Sequence, residues 1–447
     1  MEESQPMAEE SQPMGVIAGR AVGSPARRMV PARRTLPARF AFPARWASFA
    51  LPLLFTSLAC GGSEGTALVT SSDPRLAAIA VRILPDLASR SGMELREPVR
   101  VERRSRAELE RYLEFKIDEE FPEGRAELVS EAYGLLGLVP GDIDLRRTLK
   151  ALYLEQVAGF YDPDSTTLFV LDDQPDEAIE SLLVHELVHA IQDQNTNLDS
   201  ITAPGLDNDR RVAAQAAIEG HATLVMFEFL LMRQGQGVFD LTDVPDFSAR
   251  LGPALEAARM ESPTLAGVPL VLQESVLFPY RGGVTFVEAL WKERGGRPPP
   301  FGSDLPTSTE HILHPADFAH GPPDVPRTLE LSVEDGWTRL YEDTVGELEL
   351  GILLETVGAS RAHAIGWGGD RYVLLGDEDG RRSLAWFGVW DTEAQRDKFV
   401  HELEPRLSAF PQRASLTALE INGLPATRLL IGDVPNVTAS VKDLDPL

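Results

Sequence analysis

Cysteine is almost missing from this 447-residue chain: Cys60 is the single one, so no intramolecular disulfide can form. Basic residues are scarce as well. Only 42 Lys and Arg face 69 Asp and Glu, for a net charge of −27. That balance offers no basic face in bulk to neutralise phosphates, which excludes nucleic acid as a partner class. Nor is there an apolar run long enough to span a bilayer in the leader region. Trp46–Ala59 is uncharged and apolar for 14 residues, short of the roughly 20 a transmembrane helix needs. What remains is ordinary globular composition, 43% hydrophobic and 25% charged, in a chain long enough for two or three domains.

The charge is unevenly placed. Residues 15–45 carry seven Arg and no acid, and the apolar run follows directly, the order of a secretory signal. Upstream, Glu2–Met7 repeats at Glu9–Met14, and Pro-Ala-Arg recurs at Pro25, Pro31, Pro37 and Pro43. This is low complexity without the means to form a core, and residues 1–28 read as an over-extended frame with Met29 as the start. The run ends Ser57-Leu58-Ala59-Cys60-Gly61-Gly62, which resembles a bacterial lipobox, with Ser57 where that pattern favours Leu. The resemblance implies lipidation of Cys60, so that a soluble body hangs from a membrane of the cell envelope by an acyl anchor. Residues 1–60 are then a leader, and Gly/Ser/Thr-rich residues 61–73 a tether.

Residues 74–326 read as one mainly helical domain with a small sheet. Val99–Val101 reads as a strand, and helices are expected at Arg106–Phe121, Arg125–Leu138 and Leu145–Val157. Phe160–Tyr161 and Leu168–Leu171 flank the turn cluster Asp162-Pro163-Asp164-Ser165 as a hairpin. Asp173 and Pro175 signal the start of a helix running to about Gln194. A second helix, Arg210–Arg233, is apolar almost all round. Its Glu219, His221 and Glu228 would be costly in lipid, which favours a buried core helix. Helices are also expected at Phe247–Met260 and Gly283–Lys292. Pro/Gly-rich stretches close this unit, and residues 327–447 read as a smaller α+β accessory domain. There, Val345–Val357 and Ala394–Leu407 read as helices, and Tyr372–Leu375, Ser383–Val389 and Leu416–Ile421 as strands.

The run His185-Glu186-Leu187-Val188-His189 carries the chemistry. Residues four apart on a helix lie about 40° apart around the axis and about 6 Å along it. Both imidazoles therefore leave one face and can grip one metal ion, and Glu186 is offset toward a water on that ion. A catalytic zinc needs a third protein ligand and an open position. Glu219 is the leading choice: it is an acid inside an apolar helix with no Lys or Arg within five residues, a cost that a cation would relieve. Its neighbour Gly220 leaves room for another segment to approach. His221 is the rival ligand, about 200° from Glu219 around the helix, so the two cannot both face one ion.

With these residues in view, roughly 97–325 resemble the gluzincin branch of zinc metallopeptidases, with H-E-x-x-H on one helix and a Glu in an E-G-x-A context on the next. Thr223 stands where the thermolysin-like subfamily has Asp. The resemblance implies a zincin-like fold, Zn2+ as cofactor, a protein or peptide substrate, and zinc-activated water with Glu186 as general base. In such enzymes an edge strand aligns the extended substrate, a part that falls here to Leu168–Leu171. The oxyanion donor is open between Tyr280 and His314. His314 lies in Ser308-Thr309-Glu310-His311-Ile312-Leu313-His314-Pro315, which is similar to a run in a group of bacterial zinc-dependent lipoproteins sharing the H-E-L-x-H-A core. Gln192, Asp193 and Asn195 are the choices for supporting the histidines. The other reading of the motif is an envelope protein that holds zinc without catalysis, as a chaperone, assembly factor or binding module. Retention of Glu186, which a structural site does not need, speaks against it.

Overall fold

The computed structural model describes residues 68–442, apart from 237–239, 245–246 and 322. Cys60, with the expected leader and most of the expected tether, lies outside the described residues. The chain is α+β: helices around a small sheet come first, and a larger sheet follows.

The first sheet begins with β1 (Val69–Thr70), parallel to β2 (Val99–Arg104). The crossover between them is α1 (Pro74–Ser91), which Asp73 starts by accepting from the amides of Arg75 and Leu76. Ser105 and Glu108 close a reciprocal capping box at the head of α2 (Arg106–Glu120). Then come α3 (Arg125–Leu135) and α4 (Leu145–Gln156), each ending slightly short of its sequence reading. The expected hairpin is present as β3 (Gly159–Asp162) and β4 (Thr167–Leu171). The strand order is β1-β2-β4-β3. This corrects one expectation: β4 is paired on both sides, so Leu168–Leu171 cannot be the edge that receives a peptide. Every residue of β4 is buried, as an unbroken apolar run suits. The edge is β3.

Behind β3 lies α5 (Asp176–Asn195), which carries the H-E-x-x-H run. Gly159 permits that approach, since a Cβ there would meet Leu182 Cδ2 at 2.9 Å. After the short α6 (Leu198–Ile201) comes α7 (Asn208–Leu231), buried along most of its length as its composition requires. Two further helices, α8 (Phe247–Glu261) and α9 (Pro263–Gly267), lead into α10 (Leu270–Arg294). The sequence reading had α10 begin only at Gly283. Pro279 removes a hydrogen bond at a typical cost of ~3 kcal/mol. Val271, Leu272, Leu277 and Phe278 are buried on its N-terminal half, and packing of that kind decides helix formation more than propensity does.

Helices α7 and α10 cross where two glycines meet. A Cβ on Gly220 would lie 2.1 Å from the carbonyl carbon of Gly283, and one on Gly283 would lie 1.9 Å from Ala216 O. Neither position tolerates a side chain. The expectation that Gly220 admits a close neighbour is met, and the neighbour is the α10 backbone.

The connection to the second sheet holds α11 (Thr309–Leu313) and α12 (Pro315–His320). Next come β5 (Leu329–Val333), β6 (Thr338–Asp343), α13 (Gly346–Thr356), β7 (Trp367–Gly376) and β8 (Arg382–Trp390). The chain closes with α14 (Glu393–Leu403), β9 (Ala414–Ile421), β10 (Leu424–Ile431) and β11 (Val437–Val441). A five-stranded antiparallel sheet has the order β6-β7-β8-β10-β9, and β11 pairs β5. One face of the large sheet buries Val373, Ala385 and Phe387 in a cluster with Leu329 and Leu331. From the other face, Trp386 and Trp390 join α13 in the same apolar cluster as α7 and α10. The seam near residue 327 is therefore a change of architecture across a shared core.

Candidate metal centre

Helices α5 and α7 bring His185, His189 and Glu219 together with one potential ligand atom from each inside a 4.8 Å group. Nε2 of His185 lies 3.1 Å from Nε2 of His189. Glu219 Oε2 lies 3.2 Å from the first of these nitrogens and 3.4 Å from the second. All three residues are at least 99% buried. The donor set, two imidazoles and one carboxylate converging inside the protein, suits a catalytic zinc site.

The hydrogen bonds behind the cluster determine how one imidazole presents itself. His221 Nε2 faces the carbonyl of Ser91 at 3.1 Å, so it must donate there, and its Nδ1 is the acceptor. Gln192 Nε2 donates to that Nδ1 at 3.0 Å and to Ile218 O at 3.0 Å. Its Oε1 then accepts from His189 Nδ1 at 2.8 Å. His189 is left with an Nε2 lone pair aimed at the cluster. Gln192 is thus the supporting residue, and His221, the rival ligand, stands behind it in this chain. Burial drives the His221 pKa down to about 3, which keeps it neutral.

Asp193 and Asn195 have other roles. Asp193 accepts from the Tyr161 hydroxyl at 3.0 Å, and Asn195 Nδ2 donates to Glu94 O and Ile191 O. Glu219 is held from within its own helix, where Gln215 one turn earlier donates to Oε1 at 3.0 Å, leaving Oε2 toward the histidines. Sequence reasoning overlooked Gln215, although an i, i+4 Gln–Glu pair is the kind of signal that marks such a contact.

Burial would push the Glu219 carboxyl up, but the His189 and His185 rings outweigh it and hold the group at about 2. Burial lowers the pKa of His185, favouring the neutral ring that metal binding needs. Glu186 behaves differently: burial raises it to about 7, with Glu219 adding to the rise. Its Oε2 accepts from the amide of Tyr161 on edge strand β3 at 3.0 Å. Its Oε1 is buried and lacks a hydrogen-bond partner among the described residues. A buried carboxylate oxygen in that state is expensive and fits a site that takes up a further group.

The Gly220–Gly283 contact also explains Tyr280. Glu219 precedes the first glycine and Tyr280 lies one turn before the second, so the crossing puts the phenol beside the carboxylate. The ring centroid is 6.3 Å from that of His185. Burial raises the phenol far above its ordinary pKa, with the Glu219 and Glu186 charges and a hydrogen bond to Glu219 adding to the effect. A phenol kept protonated can donate. A cavity of about 270 Å³ opens beside these two residues, lined by Leu113, Ile117, Leu149, Val271 and Val276.

His314 is not brought to this cluster. It sits between α11 and α12, with Nε2 at 2.8 and 3.0 Å from the two carboxylate oxygens of Glu347 on α13. That hydrogen bond raises its pKa. The run around it serves the seam: Thr309 N donates to Asp209 at the head of α7 at 3.1 Å, and Thr309 Oγ1 accepts from Leu348 N at 3.1 Å. Of the two expected oxyanion donors, only Tyr280 adjoins the His185–Glu219 group.

A family model described as a domain of unknown function, DUF8575, matches residues 336–423. That segment contains none of His185, Glu186, His189 and Glu219. No curated protein and no solved structure matches the chain. Among the described residues, no helix is long and apolar enough to cross a membrane.

Proposed function

We propose that this chain is a zinc-dependent metallopeptidase of the gluzincin type, acting on protein or peptide substrates and tethered to a bacterial cell envelope through lipidated Cys60. One observation carries the hydrolase reading. His185, His189 and Glu219 converge, and beside them Glu186 keeps a buried carboxylate oxygen that bonds to nothing among the described residues. A purely structural metal site has no use for that second carboxylate.

Zinc bound by the three residues would supply Lewis-acid polarisation of a water and of the scissile carbonyl. Glu186 takes the proton of the attacking water and passes it to the leaving amine. Its lifted pKa suits a base that must both accept and release a proton near neutrality. The Tyr161 amide holds the other carboxylate oxygen, which aims the free one. Tyr280 donates its phenolic proton to the charge that develops on the carbonyl oxygen. The outer edge of β3, next to Glu186, replaces β4 as the strand on which an extended peptide would align. The apolar cavity beside Glu219 has room for a substrate side chain.

The test compares wild type with Glu186→Gln for zinc content and for cleavage of casein and a peptide library. The variant should keep one zinc and lose roughly 10²–10⁴-fold in rate. Wild type with zinc but without hydrolysis would support the non-catalytic envelope protein instead. A Glu186→Gln protein as fast as wild type defeats the mechanism, and wild type purified without stoichiometric metal defeats the whole reading.

A further inference from the structure

We propose that Glu310, Asp324 and Asp391 form a second metal site, one that takes a hard divalent cation of the calcium type at the seam between the helical part and the large sheet. The three come from different elements: Glu310 from α11, Asp324 from the connection before β5, and Asp391 from the residue after β8. One carboxylate oxygen from each falls within a single 4.8 Å group. None of the three carboxylates has an ion pair or a side-chain hydrogen bond among the described residues.

Glu310 is the observation that points to a ligand. Its side chain is 8% exposed, and its Oε2 is fully buried with no hydrogen-bond partner among the described residues. Asp324 and Asp391 are exposed and close the group on the solvent side. Among the described residues, no arginine or lysine forms an ion pair with it. The near cation, His314, is engaged by Glu347 at 2.8 Å. Three carboxyl groups drawn together, one with a dehydrated oxygen and two open to solvent, match what calcium requires: carboxylate oxygens on part of its shell and water on the rest. No imidazole or thiolate belongs to the group, so it offers little to zinc. The site makes use of the Ser308–Pro315 run, whose two histidines are engaged elsewhere, His311 by the Asp324 carbonyl and His314 by Glu347. A cation here would bind the connection between α12 and β5 to the end of β8.

The experiment uses the full chain with its zinc content monitored throughout, and calcium chloride alone as the probe. Isothermal titration should show one calcium per chain, with saturation below about 10 mM, as for extracellular calcium modules. Calcium should raise the thermal midpoint and slow proteolytic cleavage in residues 314–328. Asp324→Asn and Asp391→Asn, both at exposed positions and so expected to fold, should each weaken calcium binding at least ~10-fold and leave zinc stoichiometry unchanged. Glu310→Gln should abolish the calcium response. Absence of heat and of any midpoint shift overturns the proposal. So does wild-type calcium affinity in the Asp variants, or an equal shift with magnesium, which would mark screening of an acidic surface. Zinc content and peptide cleavage are read separately, so failure here leaves the first metal centre standing.

Discussion

Two carboxylate-bearing clusters among the described residues answer the same electrostatic problem in opposite ways. At the first, a deeply buried Glu219 meets two imidazoles, and their attraction outweighs burial to hold its pKa at about 2. At the second, Glu310 meets only other acids. Burial, followed by the charges of Glu347, Asp391 and Asp324, pushes it up to about 9, and burial with Asp324 lifts Asp391 to about 6. A buried anion is stable when its neighbours carry or accept compensating charge. The first cluster has that compensation within the protein and is preorganised by the Gln192–His221–Ser91 chain. The second has only His314, which Glu347 engages and whose charge eases Asp391 without offsetting burial, so the cluster must hold a proton or a cation.

The largest effect that would sharpen this contrast is expected from His189→Ala. It should strip zinc and abolish hydrolysis, measured by metal analysis and a peptide assay, with calcium binding untouched. Parallel loss of both metals would mean that the clusters are not independent. Tyr280→Phe should come next, lowering kcat by roughly 10²-fold with little change in KM or zinc content; an unchanged kcat would remove Tyr280 from the reaction. Gln192→Ala should weaken zinc roughly 10–100-fold, read by competition with a chelator. Unaltered affinity would show that the His189 ring needs no partner behind it.

The smallest effect concerns the seam. Glu349 on α13 accepts from the Tyr133 hydroxyl at 2.7 Å and from Asn208 at 2.9 Å, and burial raises its pKa from 4.5 to about 8. Between those values the unfolded chain has released this proton and the folded chain retains it. The folded state therefore binds more protons, and stability falls as pH rises through the window. Glu349→Gln should flatten that fall in a series of thermal midpoints at constant zinc. An unchanged slope would assign the pH dependence to the other raised carboxyls, Asp209 at about 8, Glu186 at about 7 and Glu310 at about 9.

Several local signals lie within one element and are legible in the sequence, although the Gln215–Glu219 pair on α7 and the first half of α10 are not among them. The H-E-x-x-H spacing sits on one helical face, α2 opens with its own capping box, and the β3–β4 hairpin follows from its turn residues. Glu219 was legible because an acid without a basic neighbour on an apolar helix needs an external partner. Other features depend on residues distant in sequence. Which of Glu219 and His221 faces the histidines turns on the rotation of α7, and the glycine contact with α10 fixes that rotation. Which hairpin strand ends up at the edge of the first sheet depends on β2 pairing with β4 across a long crossover, which a hairpin reading cannot anticipate. His314 had the right chemistry for an oxyanion donor, but Glu347, 33 residues away, engages it.

From its order of residues alone, this chain determined that His185 and His189 share one helical face, that Glu186 stands beside them, and that the whole is acidic, because each depends on spacing within one helix or on composition. The tertiary structure alone decided that Tyr280 joins Glu219, that β3 borders Glu186, and that Glu310, Asp324 and Asp391 share one small volume. Those outcomes depend on helix crossing and strand order, which arise from burial of apolar surface summed over the whole core and leave no local mark in the sequence.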